Sequence, residues 1–446
     1  MKRQAATPNG LQRRLRDLQL DKVHDPRRQA NLDYPLPTLL CGLIAAMVSG
    51  ASALRHVEQR TGQMAKKLGG WMGLVKRVAD NTFSTLLARL FVTDLLGRLH
   101  SLVKAEQRRG NLKPKVLPVG TVAIDGKNVA TLRWHDLCRV LELDQIAASV
   151  DNVRELLTQR FPQVQLCVPK EGKPYALARV HTVTLISSSA AQCVHQRPIP
   201  GCTNEIGAMP ELLEELHRAY QHSSLVAMVT TDAGNTSLAV AGKIVGYGWD
   251  YFCQIKSELG EIYREASRAL KNKRAHQADA NVSEHRDGKN VTYRLWCYDL
   301  EGEGWLDWTS ARQLVRVQRT VVDRATGNEE SIGNRYYVAS KTPTELGPQS
   351  CLTISRRHWR CENETHWSAD VALAEDQRRL SMSRHPNGVF VVGVLRMIAL
   401  NILAIARKLS RIGTSEQTPS WKQVVEHFFL VLCESILETE AFDAVI

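Results

Sequence analysis

The stretch Val116-Leu117-Pro118-Val119-Gly120-Thr121-Val122-Ala123-Ile124-Asp125-Gly126-Lys127 is rich in β-branched residues and closes on an acidic residue and a Gly-Lys turn. It predicts a buried strand ending at Asp125. A second run, Leu225-Val226-Ala227-Met228-Val229-Thr230-Thr231-Asp232, reads the same way and also ends on an aspartate. In an α/β sheet, ligand-binding groups converge at the carboxyl ends of strands. Two aspartates so placed on neighbouring strands can share a cation.

Outward from these two strands, residues 132–172 read as an insertion, and 176–186 and 192–198 as two further strands. Asn204-Glu205-Ile206 opens a helix whose Met209, Leu212, Leu213 and Leu216 share a face, ending near His222. A helix over 235–246 and a strand over 251–256 follow the second acidic strand. Three strands, helix, strand, helix, strand is a ribonuclease-H-like order, so the fold class is α/β with the first part of such a core over 116–262. Residues 263–345 read as an inserted β-rich subdomain, with strands at 291–298, 314–321 and 336–340 set off by turns such as Asp287-Gly288 and Thr326-Gly327. The helical period returns over 389–409 and 421–437, which makes 346–446 the C-terminal helical part of the core. Upstream, 35–115 reads as an all-α domain. Phe83, Leu86, Leu87, Leu90 and Phe91 recur there at helical spacing, and Gly110 to Lys115 form its linker outward. Residues 1–34 form a basic polar segment.

The 446 residues carry 58 Lys+Arg against 46 Asp+Glu, a net charge of +12, with 43% hydrophobic and 23% charged residues. This balance excludes disordered, collagen-like and coiled-coil classes and supplies cores for two or three domains. The charge is localised: residues 1–115 hold 21 basic and 8 acidic residues, leaving 37 and 38 for the rest. A basic N-terminal module suits a polyanion, because clustered Lys and Arg release counterions from phosphates; a solvated basic face is the competing reading. Ten scattered cysteines without a C-x-x-C motif fit a reducing compartment with most thiols buried. The start, Met1-Lys2-Arg3-Gln4, does not read as a secretory signal. Residues 36–54 lack charge, but Pro37, Gly42, Gly50 and interspersed Ser and Thr dilute them, so they read as a buried helix and a turn rather than a membrane span.

A third carboxylate is expected in Arg357-His358-Trp359-Arg360-Cys361-Glu362-Asn363-Glu364-Thr365-His366-Trp367. On a regular helix His358, Glu362 and His366 fall on one face at i, i+4 and i+8, with Trp359 and Trp367 alongside and Glu364 pointing about 200° away from Glu362. Zinc is the rival reading of these histidines, but the H-E-x-x-H spacing is absent. A glutamate from this block, Glu362 or its rival Glu364, would complete with Asp125 and Asp232 an all-oxygen set suited to Mg²⁺ or Mn²⁺, and two such ions can activate a water and stabilise the leaving oxygen of a phosphodiester. Lys127, Arg356, Arg357, His358, Arg360 and His366 read as phosphate contacts near that centre. Trp359 and Trp367 read as core.

The block from His358 to Trp367 resembles the glutamate-bearing helix of bacterial insertion-sequence DDE transposases, in particular the group that includes the H-repeat-associated proteins. Family-like phrases run in the family's order: Asp25-Pro26-Arg27, Asp80-Asn81-Thr82-Phe83, Ile124-Asp125-Gly126-Lys127, Asn204-Glu205-Ile206, Thr231-Asp232-Ala233, Asp250-Tyr251, Tyr336-Tyr337, Asp370-Val371 with Glu375-Asp376, and Arg396 with Ala399-Leu400-Asn401. The pattern departs at Cys202, where a Lys is expected, and at Ser355, where a tyrosine is expected.

The resemblance implies that Asp125, Asp232 and Glu362 are the catalytic and metal-binding triad, with a two-metal Mg²⁺ site that Mn²⁺ can also fill. It further implies DNA cleavage at element ends and strand transfer into target DNA. Terminal inverted repeats would be recognised by the N-terminal helices of a homo-oligomer in the DNA complex. The implied setting is the bacterial cytoplasm, at the nucleoid and away from membranes. The alternative is a catalytically degenerate or host-adopted transposase-derived protein that binds DNA in a salt-sensitive way without Mg²⁺-dependent nicking.

Overall fold

Apolar residues at helical spacing close the N-terminal quarter of the chain into five helices: α1 (Pro8–Asp17), α2 (Leu36–Val48), α3 (Leu54–Leu68), α4 (Asp80–Arg89) and α5 (Val92–Arg108). The computed structural model describes residues 8–28, 32–68, 73–301, 306–373, 384–409 and 418–433. The expected features at residues 1–7, Glu375-Asp376 and 434–437 lie outside them. α2 is buried on nearly all sides and spans 13 residues, too short to cross a bilayer. Of the N-terminal arginines, Arg14 is buried with its Nε 3.1 Å from Glu106 Oε1, and Arg27 binds Asp25 at 2.7 Å. Arg13, Arg16 and Arg28 are exposed.

The centre of the sheet is β1 (Thr121–Arg133). After it come α6 (Trp134–Leu141), α7 (Val150–Arg160) and β2 (Val164–Cys167), then β3 (Tyr175–Leu185) and β4 (Gln192–Pro198). β3 runs antiparallel to β1 and pairs with β2 and β4 along successive parts of its length. On its other side β1 is parallel to β5 (Met228–Thr231), and β5 is parallel to β6 (Asp250–Ile255). Parallel neighbours need crossovers, supplied here by α8 (Glu205–Tyr220) and α9 (Leu238–Gly246). Asn204 caps α8 by accepting from Gly207 N, and Ser237 caps α9 by accepting from Val240 N.

β1 does not end at Asp125. Its ladder with β5 stops at Ile124, but β3 continues to pair with it as far as Arg133, past a shift in register between Asn128 and Ala130. The acidic residue therefore marks the end of one ladder and not of the strand.

The β-rich stretch follows α10 (Glu261–Leu270) and comprises β7 (Ala280–Arg286), β8 (Lys289–Asp299), β9 (Gln313–Asp323) and β10 (Glu329–Ala339). β10 pairs antiparallel with β6, so these strands extend the same ten-stranded sheet in the order β2-β3-β1-β5-β6-β10-β9-β8-β7, with β4 on β3. β7 is an edge strand of mostly polar, exposed residues, which is why its sequence carries no strand signal.

The chain closes with α11 (Pro348–Arg357), a π-helical turn Cys361–His366, α12 (Trp367–Leu373), α13 (Pro386–Leu409) and α14 (Trp421–Cys433). α13 is long and apolar enough to cross a membrane, but its most apolar window is 100% buried inside the protein. It packs against α2, α4, α5 and β4. Asn401 on α13 accepts from Cys193 N at 2.9 Å and donates to Cys193 O at 2.7 Å, pinning the helix to β4. Asn387 donates to the carbonyls of Ala88 and Leu90. The N-terminal helices thus share one hydrophobic core with α13 and the sheet.

Candidate active site

The β1–β5 ladder runs from Thr121↔Met228 to Ile124↔Thr231, and the next residues are Asp125 and Asp232. Two carboxylates therefore leave neighbouring parallel strands side by side, roughly 5 Å apart at the backbone. Gly126 N donates to Asp125 Oδ1 at 2.9 Å. Asn235 donates to Asp232 Oδ1 through both its backbone N and its Nδ2, each at 3.0 Å, while Thr236 Oγ1 closes the turn on Asp232 O at 2.6 Å. Burial pushes Asp125 up to about 7, helped by the negative charges of Asp232, Glu362 and Glu205 and opposed by the Gly126 N–H.

Glu362 comes from a broken helix rather than a regular one. α11 ends at Arg357, and the chain re-forms as the π-helical turn Cys361–His366. A π-turn bonds i to i+5, which brings Cys361 and His366 together on the face against the sheet. Thr184 of β3 donates to Thr365 Oγ1 at 3.0 Å and to Cys361 Sγ at 3.5 Å. The expected single face of His358, Glu362 and His366 is therefore split. His358 is buried, with Nδ1 3.3 Å from Thr230 Oγ1, and burial lowers its pKa to about 4. That corrects its reading as a phosphate contact, since a neutral buried imidazole is out of a backbone's reach. His366 Nδ1 stands 3.6 Å from Asp125 Oδ2. Glu362 is exposed, and Glu364 is held by Arg360.

Among the described residues one mixed group could also hold an ion: ligand atoms of Asp125, Cys361 and His366 lie within 4.8 Å of one another. An N, S and O set suits zinc. Burial holds the Cys361 thiol well above its usual value, however, and so in its protonated, weakly ligating form. Hard cations fit the carboxylates better. Asp125, Asp232 and Glu362 bring only oxygen donors, and their charges already act on one another.

The other predicted basic residues are engaged within the protein. Lys127 Nζ is 3.0 Å from Asp370 Oδ1. Arg357 and Arg360 both donate to the carbonyls of Ile186 and Ser188, fastening the glutamate-bearing segment to the loop after β3. Arg356 binds Glu284 and lies 4.8 Å over the Tyr293 ring.

Sequence reasoning missed a cleft of about 700 Å³ between the β7–β10 strands and this segment. Arg286, Arg319, Arg335, Arg356 and Trp359 line it, and Glu362 is on its wall. The Arg335 guanidinium stacks 4.4 Å over Trp359. Trp359 is thus a cleft wall and Trp367 is 56% exposed, so neither is the core residue expected. The signal available was the alternation of Arg319 and Arg335 with Val317, Ser331 and Gly333 on two strands, a mixed face that looks like any half-solvated one.

Residues 169–402 match the family described as the transposase DDE domain, a stretch that includes Asp232 and Glu362 but not Asp125. Two Escherichia coli K12 proteins are similar to the chain. The putative protein YbfL is 27% identical over 232 residues, and the H repeat-associated putative transposase YhhI is 28% identical over 233 residues. Each match covers 50% of this chain and 58% of the relative, so the chain spans little more than half the length of these curated relatives. A cryo-EM structure of the piggyBac transposase synaptic complex with hairpin DNA covers 100% of this chain and 84% of its own, at 11% identity and a TM-score of 0.39, too slight a likeness to carry any argument.

Proposed function

The chain belongs to the transposase DDE domain family, and from that premise we propose that it is a metal-dependent DNA strand-transferase with Asp125, Asp232 and Glu362 as its reacting centre. The observation that carries this reading is the register that sets Asp125 beside Asp232, together with the charge of Glu362 reaching the same carboxyl. Like charges gathered in a half-buried place oppose one another unless a cation sits between them. The order of strands and helices from β1 to β6 suits a ribonuclease-H-like core.

In this reading Asp125, Asp232 and Glu362 would together hold two divalent ions, with Glu362 serving the second. When bound, the ions would supply an activated water and a counter-charge for the departing oxygen. Gly126 N–H and the Asn235 amide aim the two aspartates, and the Arg286, Arg319 and Arg335 guanidinia draw a phosphodiester strand along the cleft toward Glu362. The 3′-hydroxyl freed at the element's end then attacks a target phosphodiester in the same place, forming a new P–O bond as the target strand's own 3′-oxygen leaves. The basic helices of 35–115 recognise the terminal inverted repeats, and the active species is a multimer on DNA.

The test is strand cleavage on DNA that carries the inverted repeats flanking the gene, with Mg²⁺. Wild type should nick the element ends, and Asp125→Ala, Asp232→Ala and Glu362→Ala should each lose cleavage while still binding DNA. Retained cleavage in all three variants would remove the assignment.

A further inference from the structure

Glu205 acts on Asp125 as a nearby negative charge, and its placement is closely specified. It is the first residue of α8, set by the Asn204 cap, and its carboxyl lies directly over Gly126. A Cβ on Gly126 would collide with that carboxyl, so the residue after Asp125 has to be glycine for Glu205 to stand there. Asn235 is fully buried, and its Nδ2 donates both to Asp232 Oδ1 at 3.0 Å and to Glu205 Oε2 at 3.4 Å, bridging the two carboxylates.

The other end of that amide points the same way. Asn235 Oδ1 is buried and makes no well-formed hydrogen bond, and neither ring nitrogen of the fully buried His181 does. His181 pairs with Gly126 across the β1–β3 ladder, and the Asn235 side chain is near enough to act on its ring. A fully buried amide is thus committed to orienting the oxygens of two carboxylates from separate elements.

We propose that Glu205 is a fourth carboxylate ligand of the divalent site, with Asn235 as its positioning residue. The proposal rests on the reading of Asp125 and Asp232 as metal ligands. It adds a donor from a separate element, the N-terminus of α8, so that the ion shared by the aspartates is held from the helix side as well as from the sheet. Asn235 can donate to the outer lone pairs of Asp232 and Glu205 and leave their inner lone pairs for the ion.

The test is Mn²⁺ binding to the full chain without DNA, followed by the loss of the free-ion electron paramagnetic resonance signal. Glu205→Gln keeps the size and hydrogen-bonding shape of the side chain but removes its charge. It should weaken Mn²⁺ on the order of tenfold or more, with circular dichroism and the unfolding midpoint in EDTA showing an intact fold. Asn235→Ala should weaken binding by about tenfold, as loss of an outer hydrogen-bonding partner does. Glu214→Gln, on the exposed side of the same helix, should bind as wild type does.

If Asp125→Ala loses Mn²⁺ and Glu205→Gln does not, the fourth ligand is overturned and the triad stands. If Asp125→Ala and Asp232→Ala also bind normally, the reading of the site itself fails, and this proposal with it. Should Glu205→Gln not fold, Gly126→Ala is the second variant. It should weaken Mn²⁺ in the wild-type chain by displacing the Glu205 carboxyl and cause no further loss in a Glu205→Ala background. Equal losses in both backgrounds overturn the proposal.

Discussion

Replacing Asp125 with Asn should make the metal-free protein more stable while removing a carboxylate on which the proposed chemistry depends. Burial, Asp232, Glu362 and Glu205 together raise the Asp125 pKa from 3.8 to about 7. An unfolded chain releases this proton near pH 4, so between about pH 4 and pH 7 the folded protein holds a proton that the unfolded chain has lost, and stability falls as pH rises. The cost is absent below that window and complete above it. About three pH units at about 1.36 kcal/mol each amount to roughly 4 kcal/mol. The side chain is 21% exposed, so solvent screening removes little of this. Asparagine keeps an oxygen for the Gly126 N–H and brings no charge into the cluster.

The assay is urea unfolding in EDTA at pH 4.5 and pH 8. At pH 8 Asp125→Asn should exceed wild type by a few kcal/mol, and at pH 4.5 the two should converge. Under the proposed metal role, Mn²⁺ added at pH 8 should narrow the gap, because a ligand taken up more tightly by the folded wild type adds to its stability. Equal stability of the two proteins at pH 8 in EDTA would refute the electrostatic account of the site.

Asn401→Ala should destabilise the protein by about 2 to 4 kcal/mol, read as a lower urea midpoint at unchanged slope, because it leaves the Cys193 N–H and carbonyl unpaired under α13. Replacing Arg319 and Arg335 with Gln should flatten the salt dependence of DNA binding by about one unit of log–log slope for each phosphate no longer neutralised, measured by fluorescence anisotropy across a salt series, with Mn²⁺ binding unchanged. Cys202 is exposed and should react at once with a thiol reagent in the native protein, whereas buried Cys361 should react only after denaturation. Peptide mass mapping distinguishes the two thiols.

Much of the sheet was readable in the sequence because its central strands are buried on both faces, and burial writes continuous β-branched runs such as 122–124 and 228–231. The caps Asn204 and Ser237 marked their helices for a similarly local reason. What was unreadable depends on partners distant along the chain. Nothing in residues 116–133 says that β3 outlasts β5 as a neighbour, so the strand seemed to end where only one of its ladders does. The polar strand β7 is set by its place at the edge of β8, and the cleft arginines look solvated until α11 is laid across the strands. The π-turn had no local signature either. It arises where Cys361, Thr365 and His366 must all face the sheet, with Thr184 holding two of them.

These particulars bear on why the centre is built from separate elements. The sheet alone fixes Asp125 and Asp232, since one ladder register determines both. A carboxylate contributed from outside the sheet must be held against the repulsion of those two, and the fold does this by anchoring its carrier elsewhere. Arg357 and Arg360 bind the loop after β3, so the segment bearing Glu362 is fastened five and two residues before the glutamate. The same device recurs at α8, where the Asn204 cap positions the helix start and Asn235 restrains the Glu205 carboxyl. Repulsion within the cluster is therefore carried by hydrogen bonds outside it. Loosening an anchor such as Arg357, which touches none of the acidic side chains, should let the carboxylates move apart and weaken metal binding without removing a ligand.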